Sequence, residues 1–382
     1  MSIEARVITD FSRIDRAQWQ QLDHADNPFL SYAFLVGLEE SASIGPHAGW
    51  HPHHLAIFKG DDLVAFAPTY AKDNSHGEFV FDWAWADAYQ RNGVNYYPKL
   101  LTGVPYSPVT GPRLLTRRGC EKPAALKQHL LELALLSCKE QGFSTWHCNF
   151  VREDDFSLLG DAGLLTRLDW QFHWVNQDYR DFDEFLGGLR SRKRKSIRRE
   201  RRRVQEAGIR FEWKAGSEIH ETELEFIYAC YLDTFRNYGN YPALKLSFFR
   251  SLAEQLDERF QTVFALKEGE PVAMAVFLSG GGRLYGRYWG CREEIPGLHF
   301  ETAYYQGIEF CIENGIGIFE SGAQGEHKIG RGFVPTQTRS CHHVEHPLFR
   351  NAIEDHLERE KNWTDEYGEQ LETRIPFRRD EE

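Results

Sequence analysis

The chain has 382 residues, 41% hydrophobic and 27% charged, which excludes wholesale disorder and leaves room for two domains whose cores need no disulfide staples. Its formal net charge of −12 argues against a dedicated nucleic-acid coat protein, which would be basic overall. The charge is badly mixed, however: residues 190–203 hold ten Lys and Arg against the single Glu200, so the remainder carries a formal −21. A basic island on an acidic body points to a local polyanion contact. The seven Cys are scattered without a CxxC, which suits a reducing compartment and no structural zinc. The text MSIEARVITDFSRIDRAQW lacks the apolar stretch of a signal peptide, and no run approaches a membrane span of roughly 20 apolar residues. The expected setting is the cytoplasm, with no membrane insertion.

In chain order, polar helical text runs to about Ser43. His53–Lys59 and Leu63–Tyr70 read as a hairpin around Gly60-Asp61-Asp62. Glu78–Trp85, with alternating aromatics, reads as a strand, and Pro105–Leu115 as a strand broken by prolines. Pro123–Gln141 carries leucines near helical spacing and ends at Gly142; 144–150 and 166–175 read as strands. A basic helix opens at the cap Asp181, with Glu184 placed for a reciprocal bond. A short strand over 209–214 and a helical pair over 221–260 follow. Next comes a meander over 262–267, 271–279 and 283–290, then helix 299–314 with Phe300, Tyr304, Ile308 and Cys311 on one face. Strand 316–321 leads into a Gly-rich loop. Both halves thus repeat hairpin, strand, helix, strand, which predicts two mixed α/β domains over 1–176 and 177–346. A C-terminal helical segment, 347–382, would pack back on the first.

A meander, a helix, then a strand entering a loop is the order of the GCN5-related N-acetyltransferase fold. Two such units with a basic helix opening the second resemble the FemABX-like aminoacyltransferases. The carrying segments resemble the bacterial peptidoglycan biosynthesis or recognition proteins of that superfamily. They are FVFDWAWADAY (79–89), YYPKLLTGVPYSPVTGPRLL (96–115), SRKRKSIRRERRRVQEAGI (191–209), LYGRYWG (284–290), LHFETAYYQGIEF (298–310) and ESGAQGEHKIGRGFVPTQTRS (320–340). The resemblance implies a fold of tandem GCN5-related acyltransferase-like domains, each a mixed, mostly antiparallel sheet flanked by helices. It implies an acyltransferase moving an aminoacyl group from aminoacyl-tRNA to an amine-bearing small molecule or peptide, with no tightly bound cofactor. FemABX enzymes carry a Phe-Lys pair whose lysine is implicated in stabilising the intermediate; here the pair reads His327-Lys328.

Four constellations carry the chemistry. In the basic helix, Leu186, Leu189, Ile197 and Val204 form one narrow seam. Arg192, Lys193, Arg194, Lys195, Arg198, Arg199, Arg201 and Arg202 are candidates for a tRNA backbone or a nucleotide diphosphate. A solvated face, or pairing with the acidic body, is the other reading. The loop ESGAQGEHKIGRGFVP crowds Glu320, Gln324, Glu326, His327, Lys328 and Arg331 at a strand end. Acyl transfer to an amine needs a base and a donor for the oxyanion. Glu326 or His327 suits the first, Lys328 or Arg331 the second. On the strand LYGRYWGC, Tyr285, Arg287 and Trp289 alternate onto one face, which suits a carboxylate or phosphate with stacking. The other reading is a packed core strand with Arg287 paired to a buried acid such as Glu301; Glu301 and Tyr305, one helical turn apart, are placed for either to line the same pocket. Asp82 and Trp85 of FDWAWADAY, with Tyr106, Thr110 and Arg113, would build an acceptor cleft, although aromatic pairs are more often core.

Coenzyme A-dependent members of the fold cradle pyrophosphate with a Q/R-x-x-G-x-G/A loop. The corresponding places read CREEIPGLHFE and TRRGCEKP, which argues against ordinary acetyl-CoA use without excluding an acyl-CoA donor. A non-catalytic protein binding a precursor or RNA is the reading from a different class. No His cluster has zinc-site spacing, so no metal is expected. The text does not decide the oligomeric state.

Overall fold

The computed structural model describes residues 3–323 and 325–378. Strand β1 (Ile3–Ile8) and helices α1 (Arg16–Gln20) and α2 (Tyr32–Glu40) open the chain, with Asp15 and Ser31 capping the helices through their side chains. Short β2 (Trp50–Pro52) precedes the expected hairpin of β3 (His54–Lys59) and β4 (Asp62–Ala67). Pro68 then ends the run, and β5 (Thr69–Lys72) pairs elsewhere.

The expected strand over 78–85 is instead a loop followed by helix α3 (Trp83–Arg91). Phe79, Phe81, Trp83 and Trp85 do alternate. Trp85 and Tyr89, however, lie one helical turn apart; they are the buried pair, while Phe81 and Trp83 stay exposed. The sequence reading missed β6 (Lys99–Thr102), which is short and follows Pro98. The region 105–115 yields only β7 (Leu115–Thr116), because Pro105, Pro108 and Pro112 remove ladder donors. Helix α4 (Pro123–Gln141) ends at left-handed Gly142, φ 72°. Strand β8 (Thr145–Asn149), α5 (Glu153–Asp161) and β9 (Leu165–Val175) follow.

The basic helix is two helices, α6 (Phe182–Gly188) and α7 (Ser191–Glu206), separated after the weak helix formers Gly187 and Gly188. Asp181 accepts from the Glu184 amide at 2.8 Å, while Glu184 bonds the amide of Arg180 rather than closing a reciprocal box. Strand β10 (Ile209–Ala215), α8 (Glu221–Asn237) and α9 (Leu246–Leu256) lead into the meander β11 (Phe260–Lys267), β12 (Glu270–Gly280) and β13 (Arg283–Cys291). The helix expected over 299–314 is α10 (Leu298–Phe300), a π turn (Glu301–Tyr305) and α11 (Gln306–Glu313). Strand β14 (Ile318–Glu320), a 3-10 turn (Glu326–Arg331), β15 (Val334–Val344) and α12 (Pro347–Thr373) complete the chain.

The chain divides into two compact units, residues 1–169 with 337–366 and residues 170–336 with 367–382. The sequence reading placed the limits at 176/177 and 346/347. In unit 1, one antiparallel sheet runs β1-β3-β4-β7 and another β15-β8-β6-β5-β2, where only β6 and β8 are parallel. Leu100, Trp146, Cys148 and Cys341 pack with Leu126, Leu130 and Leu131 of α4. Ile353 and Leu357 of α12 pack with Trp85 and Tyr89 of α3.

Unit 2 has the order β10-β11-β12-β13-β14-β9, antiparallel except for β13 and β14. Its core joins Phe277, Leu284, Tyr304, Ile308 and Phe319 to the apolar seam of α6 and α7. Among the described residues the cysteines are free, no group of three His, Cys, Asp or Glu could hold a metal, and no helix is long and apolar enough to cross a membrane.

Candidate active site

In unit 2, β13 pairs with β14 only from Arg283↔Ile318 to Tyr285↔Glu320, and β13 then continues to Cys291 alongside β12. The two parallel strands part there, opening the sheet at the carboxyl end of β14. The β12–β13 ladder shifts register between Val276↔Tyr288 and Phe277↔Gly286, so Arg287 has no residue opposite. The bulge overturns the expected alternation of Tyr285, Arg287 and Trp289 on one face. Leu284 and Gly286 face the α11 side, where a Cβ on Gly286 would meet Phe319 at 3.3 Å. Past the bulge Trp289 takes that side, against His299 at 4.5 Å, while Tyr288 packs on Tyr231 of α8. Trp289 Nε1 is buried without a hydrogen-bond partner among the described residues.

Glu320 ends β14 at 4% exposure, with Oε1 accepting from Arg283 Nη1 at 2.6 Å. Among the described residues its Oε2, 3.8 Å from His173 Nε2, has no hydrogen bond, and neither does the buried Ser321 hydroxyl. On the 3-10 turn, Lys328 is 2% exposed, and its Nζ donates to the Gly322 carbonyl at 2.7 Å. Among the described residues no carboxylate pairs with it, and burial pulls its ammonium down to about 7. His327 is lowered by burial and by Arg331 and Lys328, so its imidazole is neutral at neutral pH; Nε2 lies 3.1 Å from the Tyr304 hydroxyl. Glu326 is exposed and accepts from Tyr367 at 2.6 Å and Arg374 at 2.5 Å, contacts that hold it below the usual carboxylate range. It is the weaker base of the two candidates. Gln324 lies outside the described residues.

Arg331 is spoken for. Its guanidinium sits 3.4 Å over the Phe300 ring, donates to the His327 carbonyl at 2.9 Å, and reaches Glu200 at 3.2 Å. Glu200 also accepts from the Tyr305 hydroxyl. Glu301, 2% exposed and raised by burial, takes Arg201 Nε at 3.1 Å and Gln306 Nε2 at 3.0 Å; Arg201 reaches Glu309 at 2.7 Å. Glu301, Tyr305, Arg331 and Arg201 therefore brace the site from inside rather than lining an open pocket. Arg201 is thus spent on Glu301 and Glu309, and Arg331 on Glu200, the His327 carbonyl and the Phe300 ring, with its Nε buried and without a hydrogen bond among the described residues. Arg198 bonds Asp183 at 2.8 Å, and Arg194 is half-buried. Lys193 is exposed but lies beside Gly330, whose Cβ would sit 3.0 Å from its Nζ. Arg192, Lys195, Arg199 and Arg202 stand exposed with no ion pair among the described residues.

The expected acceptor cleft of unit 1 does not form from its named residues. Arg113 is fully buried and donates to the carbonyls of Asn149 (2.8 Å), Val109 (2.5 Å) and Pro112 (3.3 Å), a plug for loop backbone. Trp85 is buried beside His147 and His342, and Tyr106 donates to the Ser43 carbonyl at 3.2 Å. Asp82 accepts from Lys99 and, at 2.6 Å, from Tyr96. Against the cost of burial, Lys99 holds Asp82 well below the carboxylate range.

The profile of the FemAB-like family, described as peptidoglycan biosynthesis/recognition, matches residues 10–379. The chain belongs to the FemAB-like family. No curated protein matches it. Among solved structures, FemX superposes with a TM-score of 0.53 at 12% identity, covering 92% of this chain and 100% of that one. L-PGS from Bacillus licheniformis gives 0.50 at 12% identity over 90% and 96%. A tandem GNAT protein from the clavulanic acid biosynthesis pathway gives 0.47 at 10% over 91% and 99%. At 12% identity the likeness to FemX and L-PGS is one of fold. Family membership supports an N-acyltransferase acting in peptidoglycan-related processes.

Sequence reasoning missed a second group of titratable side chains in this FemAB-like chain. In unit 1, Lys99 Nζ also donates to Glu78 at 2.7 Å and Ser75 at 2.9 Å. Lys72 sits 3.8 Å over Trp50, and His147 and His342 meet Nδ1 to Nδ1 at 2.7 Å. Burial lowers Lys72 to about 7 and raises Glu78 to about 7. The available signal was a lysine inside the apolar run YPKLL and a histidine inside the strand TWHCN. In unit 2 the residues not assigned to the site are Glu200 and Tyr304, which lie inside the quoted segments 191–209 and 298–310, and His173, a lone polar group on β9.

Proposed function

We propose that this FemAB-like chain transfers an aminoacyl group from aminoacyl-tRNA to an amine of a small molecule or peptide, at the parting of β13 and β14. The observation that carries the reading is Lys328, a buried ammonium with no carboxylate partner among the described residues, beside a neutral His327. Burying an uncompensated cation is costly unless a negative charge forms beside it. In the reaction the acceptor nitrogen attacks the ester carbonyl, and the carbonyl oxygen becomes an oxyanion. His327 takes the amine proton, Lys328 faces the oxyanion, and collapse expels the ribose oxygen, which takes up the proton. The ester is already activated, so positioning and charge stabilisation supply the catalysis. No tightly bound cofactor is needed, and the cytoplasm holds the donor.

The exposed row of α7 supports a polyphosphate-bearing donor. The segment before α10 supports the same choice over acyl-CoA: it carries Glu293 and Glu294, with Glu293 bonded to Lys267 at 2.5 Å, where a pyrophosphate would need glycine amides.

The test is binding of charged tRNA, uncharged tRNA and acetyl-CoA at low and moderate salt, then turnover of Lys328→Ala. Steeply salt-dependent tRNA binding with loss of turnover is expected. Acetyl-CoA binding without tRNA binding would shift the donor to acyl-CoA. Saturable binding with no turnover in either protein would leave a recognition protein.

A further inference from the structure

Helix α7 has two faces with different partners. Arg192, Lys195, Arg199 and Arg202 recur at helical spacing on the outer face, exposed, over about 15 Å of axis at 1.5 Å per residue. On the inner face, Ile197 and Val204 are buried, and between them sits Glu200, the sole acid among residues 190–203. Glu200 is not spent on the basic row. It accepts from Arg331 at 3.2 and 3.3 Å and from the Tyr305 hydroxyl. Arg331 closes the 3-10 turn that carries Lys328, and Tyr305 closes the π turn. One carboxylate therefore joins the polyanion face to both segments that frame the candidate site.

We infer that Glu200 is a positioning residue that couples polyanion binding on the outer face of α7 to the ordering of the Lys328 turn. The inference rests on the polyanion reading above. The cations on α7 repel one another, and Glu200 is the nearest fixed counter-charge in their sequence. A phosphodiester backbone along the row neutralises that repulsion. The field of the α7 cations no longer competes for the Glu200 carboxylate, its bonds to Arg331 and Tyr305 strengthen beside the local one from Ser196, and the turn tightens. Coupling of this kind is a free energy shared by two sites, so it appears as a response of one to the ligand of the other.

Hydrogen exchange reads it directly. The amides of Lys328, Gly332 and Phe333 bond to Gly325, Ile329 and Lys328 within the turn. In the wild-type chain at low salt, uncharged tRNA should slow exchange of these three amides at least threefold. In Glu200→Gln, tRNA should bind within about twofold of the wild-type Kd while the three amides no longer respond. Tyr305→Phe, which keeps the ring and removes one bond to Glu200, should give a partial response and guards against misfolding of the first variant. An equal response in wild type and Glu200→Gln, or tRNA binding to wild type with no response, overturns the coupling alone. No tRNA binding to the folded wild type overturns the polyanion reading and the coupling with it.

Discussion

Replacing Lys328 by methionine should make the protein more stable while abolishing its chemistry. The ammonium is 2% exposed and lowered from 10.5 to about 7 by burial. At about 1.36 kcal/mol per pKa unit, that difference corresponds to roughly 4–5 kcal/mol of destabilisation when both folded and unfolded states hold the proton. The condition is met below pH 7. Between pH 7 and 10.5 the folded state releases the proton and the unfolded state keeps it, so the penalty shrinks as pH rises and vanishes above 10.5. Methionine fills much of the same volume but forfeits the bond to the Gly322 carbonyl, a loss of about 1–2 kcal/mol. Lys328→Met should therefore gain about 2–4 kcal/mol at pH 6 and much less by pH 9. Urea unfolding at both pH values measures it. A variant less stable than wild type at pH 6, or a difference that does not change with pH, would refute the idea that this lysine is held uncompensated for its chemistry.

Other outcomes follow from the same geometry. Lys99→Met should cost about 3–5 kcal/mol at pH 8, because Glu78 and Asp82, each about 1% exposed at the side chain, lose the cation that bridges them and keep Lys72 at 4.0 Å and the Tyr96 hydroxyl. Adding Asp82→Asn should recover part of that loss, and strictly additive effects in the double-mutant cycle would contradict the buried pairing. Reversing Arg199 and Arg202 to Glu should weaken tRNA binding and lower its salt slope by about 2, whereas an unchanged slope would remove the outer face of α7 from the contact. The aminoacyl-transfer rate should fall on the alkaline side as Lys328 loses its proton, and in Lys328→Arg any surviving activity should lack that fall. Gly290→Ala should destabilise by about 1–3 kcal/mol, because its Cβ would stand 2.7 Å from the Cys230 carbonyl oxygen, judged by thermal unfolding.

The sequence by itself determined the order of elements in unit 2, the helix Pro123–Gln141 and the segment where charged loop residues gather after a strand. These are local properties: period-2 and period-3.6 burial, turn glycines, and a proline at a helix start. It also pointed to Lys328 through the resemblance of His327-Lys328 to a known pair. Only the tertiary structure decided which charges are free. Arg113, Arg201, Arg331 and Glu301 read like ligand contacts in sequence, yet each is consumed by partners 36 to 131 residues away, or by loop carbonyls. The helix at Trp83–Arg91 was hidden because its aromatics alternate as well as repeat at four, and burial of Trp85 and Tyr89 under α12 breaks the tie. The face of Trp289 depended on a single extra residue in β13, which reverses the alternation and has no sequence signature beyond Gly286. The Lys99 network stayed invisible because its members come from β5, β6, β8, β15 and the loop before α3. Only strand pairing brings them to one buried place, where low dielectric turns ordinary side chains into strongly coupled ones.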